Sequence, residues 1–265
     1  MLPIKDNIPT ERFPFVTVAL IVANVVVYLL AIRHGGSLIG GPDIHEVVKY
    51  GAIPYAFTHP TQHCVLVTVS HQSGSVHTIA CHGQRGATSP ATGFLPVWET
   101  AFTAMFMHAS IIQVAANMLF LWIFGNTVED ALGPLKFLIF YVLGGLAALA
   151  LVVAAGPHST SPTIGASGAI AAVLGGYIVL FPRGGVLTLV FIIFFFTVIA
   201  LPTFVMLAIW FVQQALFAVL GLTDPTGGGG AIAYFAHVGG LVFGLLTIRL
   251  FATKHRQMLP PDPVY

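Results

Sequence analysis

Long apolar runs separated by short polar breaks organise this chain from residue 15 onward. The first is FVTVALIVANVVVYLLAI (15–32), and after Arg33 a polar stretch continues to about residue 100. Apolar runs recur at about 101–125, 134–155, 164–181, 186–201, 203–221 and 231–252. Most of them approach the ~20 residues that a spanning helix needs. Counted literally, they predict seven spans. The 186–201 run, VLTLVFIIFFFTVIAL, is short, rich in β-branched and aromatic residues, and meets Pro202 at once. It is expected to lie in the interface or to re-enter.

Charge selects six spans over seven. With six spans and the N-terminus inside, Lys5, Arg12, Lys136, Arg183, Arg249, Lys254 and Arg256 are cytoplasmic, and only Arg33, Lys49 and Arg85 lie outside. That asymmetry follows the positive-inside bias, and a seventh span would reverse much of it. The expected fold is an all-α membrane protein: a six-helix membrane domain over 15–252, an extracytoplasmic loop over 34–100, and cytoplasmic tails at 1–14 and 253–265.

Composition agrees with the pattern. Of 265 residues 57% are hydrophobic and 7% charged, with a mean hydropathy of +0.91. Soluble domains carry roughly 25% charged residues, so this chain cannot coat a water-facing surface. A net charge of +1 without a basic stripe gives nucleic acid no footprint. The first run has no small-residue cleavage site after it and is expected to be a retained signal anchor. Small size and the lack of a transit-type segment lead to an expected bacterial cytoplasmic membrane.

Polar groups inside the runs are the candidates for chemistry. TIGASGAIAAVLGG (163–176) places Ser167 between Gly165 and Gly168 at a helix mouth. His237 lies early in the last run, and Gly240 and Gly244 share its helical face. Ser167, Ala171 and Gly175 form a matching small face. Small residues at four-residue spacing let membrane helices approach closely. That spacing is equally what ordinary packing uses, and a lone intramembrane histidine is as often a structural donor. In the six-span topology, however, Ser167 and His237 enter from the same side at similar depth. Gln113 and Asn117 share a face of the second span and can donate to an oxyanion, or serve as interhelical glue. His108, nine residues before Asn117, falls on nearly the opposite side of a continuous helix and is read as structural.

Four segments in order resemble the rhomboid intramembrane serine proteases, over roughly residues 98–252. GASG (165–168) is similar to the family's GxSG, AHVGGLVFG (236–244) to AHxxGxxxG, HASIIQVAAN (108–117) to HxxxxHxxxN, and GNTVEDALG (125–133) to GxxxExxxG, with Glu129 in the turn after the second core helix. The resemblance implies a six-helix bundle that cleaves transmembrane segments near the outer face. Ser167 would be the nucleophile, His237 the general base, and Asn117 with the Ser167 N–H the oxyanion donors. Gln113 stands where the family has its second histidine and is the less secure donor. Ala171 occupies a position where some members stack an aromatic ring on the histidine, and Trp98 is followed by Glu99 where some have arginine. No cofactor is implied; the partners are transmembrane substrates and the bilayer, with no nucleic acid. The alternatives are a catalytically weak or inactive client-binding scaffold, a proton path through His237 and Asn117, and a metalloprotease, which the absence of HExxH disfavours.

One loop lies outside that resemblance. HCVLVTVSHQSGSVHTIACH (63–82) is symmetric about Gln72 and Ser73, so a hairpin folded there would face Cys64 to Cys81 and His63 to His82. A disulfide or unpaired thiols is the first reading. A zinc site on His63, Cys64, Cys81 and His82 is the second.

Overall fold

The computed structural model describes residues 2–60, 64–71, 74–81, 95–192, 195–222 and 229–252. His63, His82, Arg85 and the 253–265 tail with Lys254 and Arg256 lie outside them. The chain runs β1 (Leu2–Asp6), α1 (Phe15–Ala31), α2 (Ile44–Tyr50), α3 (Pro54–Thr58), β2 (Cys64–His71), β3 (Gly74–Cys81), α4 (Val97–Thr103), α5 (Ile111–Phe120), α6 (Asn126–Leu132), α7 (Pro134–Ala155), α8 (Ser167–Leu180), β4 (Gly185–Ile192), β5 (Phe195–Pro202), α9 (Thr203–Leu222) and α10 (Gly229–Phe251). It is mostly helical. Among the described residues, four segments are long and apolar enough to cross a membrane: Phe15–His34, Ile111–Leu132, Pro134–Ala155 and Tyr234–Phe251. Two shorter apolar helices, Ser167–Leu180 and Thr203–Leu216, accompany them.

Helix α8 is the axis of the bundle. Its residues from Gly168 to Tyr177 are all buried, which suits a segment hydrophobic all round. It packs antiparallel to α7, where a Cβ on Gly144 would collide with that of Ala172 and one on Gly168 would crowd Ala148. Large apolar side chains such as Ile112, Leu135, Leu246 and Leu250 instead point outward and are strongly exposed. That inversion fits a hydrocarbon solvent.

The second span differs from its expected limits. The 101–125 run does not form one helix: α4 ends at Thr103 and α5 begins at Ile111, with Ser110 as N-cap accepting from the Gln113 N–H at 3.2 Å. The helix then continues through a π-turn over Leu121–Gly125 into α6. The interruption at 104–110 has a local cause: Ser110 satisfies an orphan N–H at a start that the apolar pattern hides.

The 186–201 run forms a β-hairpin. Strands β4 and β5 pair antiparallel from Gly185↔Pro202 to Ile192↔Phe195. Its β-branched and aromatic content is strand composition. The N-terminal residues, expected as a cytoplasmic tail, add β1 to the other side of β4 in the order β1-β4-β5. Asp6 then reaches into the bundle, where its carboxylate accepts from Thr127 Oγ at 2.6 Å and the Tyr177 hydroxyl at 3.0 Å. Burial holds this carboxyl above the ordinary carboxylate range.

Glu129 does more than shape a turn. Its carboxylate accepts from the Val16 N–H at 2.9 Å and from the Thr17 N–H and hydroxyl at 2.7 Å each. It thereby caps α1 in trans, where the positive end of the helix dipole favours an anion. Strands β2 and β3 form a two-stranded hairpin running from Cys64↔Cys81 to His71↔Gly74. Cys64 and Cys81 form a disulfide, so the thiolates that the zinc reading needed are consumed.

Candidate active site

Helices α8 and α10 run parallel at backbone contact. A Cβ on Gly240 would strike the Gly168 carbonyl, one on Gly244 the Ala172 carbonyl, and one on Gly176 the Ile248 side chain. The three pairs keep one offset in numbering, so the register is constant over two turns. Counting back one turn brings His237 level with Gly165, at the start of the turn that presents Ser167. Ser167 is the first residue of α8 and is half-buried, while His237 is 7% exposed. The first N–H groups of a helix have no intrahelical partner, which leaves donors pointing out of the α8 mouth.

The turn before Ser167 is held from several sides. The Gly165 N–H donates to the Ala104 carbonyl at 2.8 Å, and Thr163 pairs with Ala52 through two backbone hydrogen bonds, 3.0 and 2.7 Å. Gly165 has φ +122°, a conformation L side chains rarely adopt. A Cβ there would sit 3.0 Å from Gln113 Nε2 and 3.8 Å from Asn117 Nδ2. Both amides of α5 thus converge on the turn that carries the serine. Beside it is a cavity of about 40 Å³, lined by Met105, Ala148, Thr163, Gly165, Ser167 and Ala236 among others. Thr163 and Ser167 are the polar side chains among its lining residues, and a space of that size has room for a water beside them.

His237 has no hydrogen-bond partner at Nδ1 among the described residues. Its ring meets Trp210 of α9 instead, with centroids 5.3 Å apart and planes at 49°. Ala171, fully buried, lies 3.1 Å from where a Gly240 Cβ would stand, so a ring at 171 would separate α8 from α10. Sequence reasoning missed Trp210; its one signal was that it is the single tryptophan of its apolar run.

His108 departs most from its expected place. Because 104–110 is not helical, the helical-face argument fails, and His108 turns back onto α5 with Nε2 2.9 Å from Asn117 Nδ2. Ser167, His237, Asn117 and Gln113 thus gather at one end of the bundle. Glu129 sits elsewhere, at the start of α1. Groups of three or more His, Cys, Asp or Glu able to hold a metal are absent among the described residues.

Comparison with known proteins places this arrangement in context. The family model described as a Rhomboid domain matches residues 96–254, more than half of the chain. The chain is 30% identical over 145 residues to the human presenilin-associated rhomboid-like protein, mitochondrial, covering 53% of this chain and 34% of that protein. It is 31% identical over 110 residues to Rhomboid protease GluP of Bacillus subtilis, covering 42% and 20%, and 36% identical over 90 residues to Rhomboid protein 1, mitochondrial, of Saccharomyces cerevisiae, covering 32% and 26%. The chain thus spans about a third or less of the length of these relatives. Two of the three are mitochondrial by name, so the expected bacterial cytoplasmic membrane gains no support; an integral membrane location stands.

Proposed function

This chain belongs to the rhomboid family, and on that premise we propose that it is an intramembrane serine endopeptidase working through Ser167 and His237. The observation that carries the reading is the constant α8–α10 register, which brings His237 level with the Ser167 turn. In the proposed reaction His237 takes the Ser167 proton as the hydroxyl attacks a scissile carbonyl, then returns it to the leaving amine, giving an acyl-enzyme that water hydrolyses. Asn117, Gln113 and the Ser167 N–H donate to the oxyanion; one such donor is typically worth roughly 3–4 kcal/mol. Among the described residues no carboxylate bonds His237 Nδ1, and the imidazole is held by packing against Trp210.

Depth supports an active site below the membrane surface. Helix α8 has 14 residues, about 21 Å at 1.5 Å per residue, against a hydrocarbon core of about 30 Å. One end must therefore lie inside the slab, and the small residues around Ser167 leave room there. The proposed topology has six crossings: α1, the α5–α6 helix, α7, α8, α9 and α10. Both termini are then cytoplasmic and Ser167 opens to the opposite side. Substrates are transmembrane segments whose helix is weak near that side, because a helical carbonyl is shielded by its own hydrogen bond.

The test is cleavage of a model transmembrane substrate in liposomes. Wild type should cleave, while Ser167→Ala and His237→Ala each lose at least ~10⁴-fold in kcat. A folded wild-type protein that cleaves no tested substrate and leaves Ser167 unlabelled by a fluorophosphonate would point to the client-binding scaffold.

A further inference from the structure

A neutral amide helps a developing anion only when its nitrogen, not its oxygen, is turned towards it. Which way an amide faces is decided by the hydrogen bonds around it. For Gln113 the deciding contact is the Ala109 N–H, which donates to Oε1 at 2.6 Å and leaves Nε2 facing Gly165. For Asn117 the deciding contact is His108, which is fully buried.

The His108 tautomer follows from two neighbours of fixed polarity. The Phe106 carbonyl, 3.2 Å from Nδ1, can only accept, so Nδ1 carries the proton. The Ala166 N–H, 3.5 Å from Nε2, can only donate, so Nε2 presents its lone pair. An accepting Nε2 at 2.9 Å selects the nitrogen of Asn117 over its oxygen. One N–H of Asn117 is then spent on His108, and the other is left for the turn before Ser167.

We propose that His108, held as the Nδ1–H tautomer between Phe106 and Ala166, is a positioning residue that turns the Asn117 amide nitrogen towards the reacting carbonyl. This rests on the reading of Asn117 as an oxyanion donor. His108 makes no contact with substrate; it acts through the orientation of Asn117. Remove its acceptor and Asn117 can present its oxygen, which repels an oxyanion. The segment 106–109 therefore sets both amides at once, His108 for one and the Ala109 main chain for the other.

A double-mutant cycle on the full chain in liposomes tests this. His108→Leu should lower kcat at least about tenfold with KM within about twofold, since only the transition state uses the donor. His108→Gln, which keeps an acceptor, should recover most of the loss. In an Asn117→Ala background, His108→Leu should have no further effect; full additivity would overturn the proposal. Equal cleavage by wild type and Asn117→Ala would overturn it too, along with the oxyanion role of Asn117. A second measurement does not need activity. Long-range ¹H–¹⁵N spectra of histidine-labelled wild type in micelles, with His108 assigned by its loss in His108→Gln, should show the Nδ1–H tautomer. An Nε2–H or imidazolium pattern would sink the proposal even if the protein cleaves nothing.

Discussion

At Gly165 backbone conformation and candidate chemistry meet. Its φ of +122° and the 3.0 Å gap between an added Cβ and Gln113 Nε2 leave no place for a side chain. Gly165→Ala therefore strains the turn that presents Ser167 and displaces an amide aimed at it. Backbone strain of this kind costs about 1–3 kcal/mol, which the bundle can absorb. Cleavage should fall at least ~100-fold, because misplacement by about 1 Å can cost that much. Expression and thermal midpoint in detergent should change little by comparison. Near-normal kcat in Gly165→Ala would mean that the turn relaxes without moving Ser167. His108 belongs to the same scale: its role depends on which nitrogen holds a proton, a detail no residue pattern expresses.

The elements that matter most are joined by backbone contact, not by interlocking side chains. Gly240 and Gly244 bring α10 onto carbonyls of α8, the close approach that membrane helices use where lipid removes any hydrophobic drive to associate. A different device secures α1, whose first N–H groups are satisfied by the Glu129 carboxylate from α6. Glu129→Ala leaves three donors without that acceptor. The expected cost is about 3 kcal/mol, summed from unsatisfied groups, read as a lower thermal midpoint in detergent. Residual activity per folded molecule should be nearly preserved, since Glu129 is remote from Ser167. A midpoint equal to wild type would show that water takes over the cap.

Over the whole molecule, segments far apart in sequence close on the α8 helix from both ends. Residues of the first loop brace the serine end: Ala52 pairs with Thr163, and the Tyr55 N–H donates to the Ser159 carbonyl at 2.9 Å. At the other end β1 joins the β4–β5 hairpin and delivers Asp6 to Thr127 and Tyr177. Burial raises the Asp6 carboxyl above its ordinary value of 3.8, so the folded protein keeps this proton to higher pH than the unfolded chain. Its contribution to stability is full below that value and is lost as pH rises through the raised one. Asp6→Asn keeps a carbonyl acceptor for both hydroxyls and does not titrate. Its thermal midpoint should fall less between pH 4 and 8 than that of wild type; identical slopes would remove Asp6 as the cause.

Spacing within single elements was legible in the sequence. The span Pro134–Ala155, the small faces of α8 and α10, and the palindromic hairpin about Gln72 and Ser73 each repeat a period that one helix or one strand pair imposes. Ser167, His237, Gln113 and Asn117 stood out because polar groups are costly among apolar neighbours. The sequence alone could not place what depends on chain reversal. The break at 104–110 hid inside an apolar run, and so His108 appeared to face away from Asn117 when it bonds to it. Glu129 read as part of a turn because its partners, Val16 and Thr17, lie more than a hundred positions away. Trp210 carried no periodic signal at all. Periodicity records the direction in which a side chain leaves its own backbone; what it meets there is decided by the packing of the other helices.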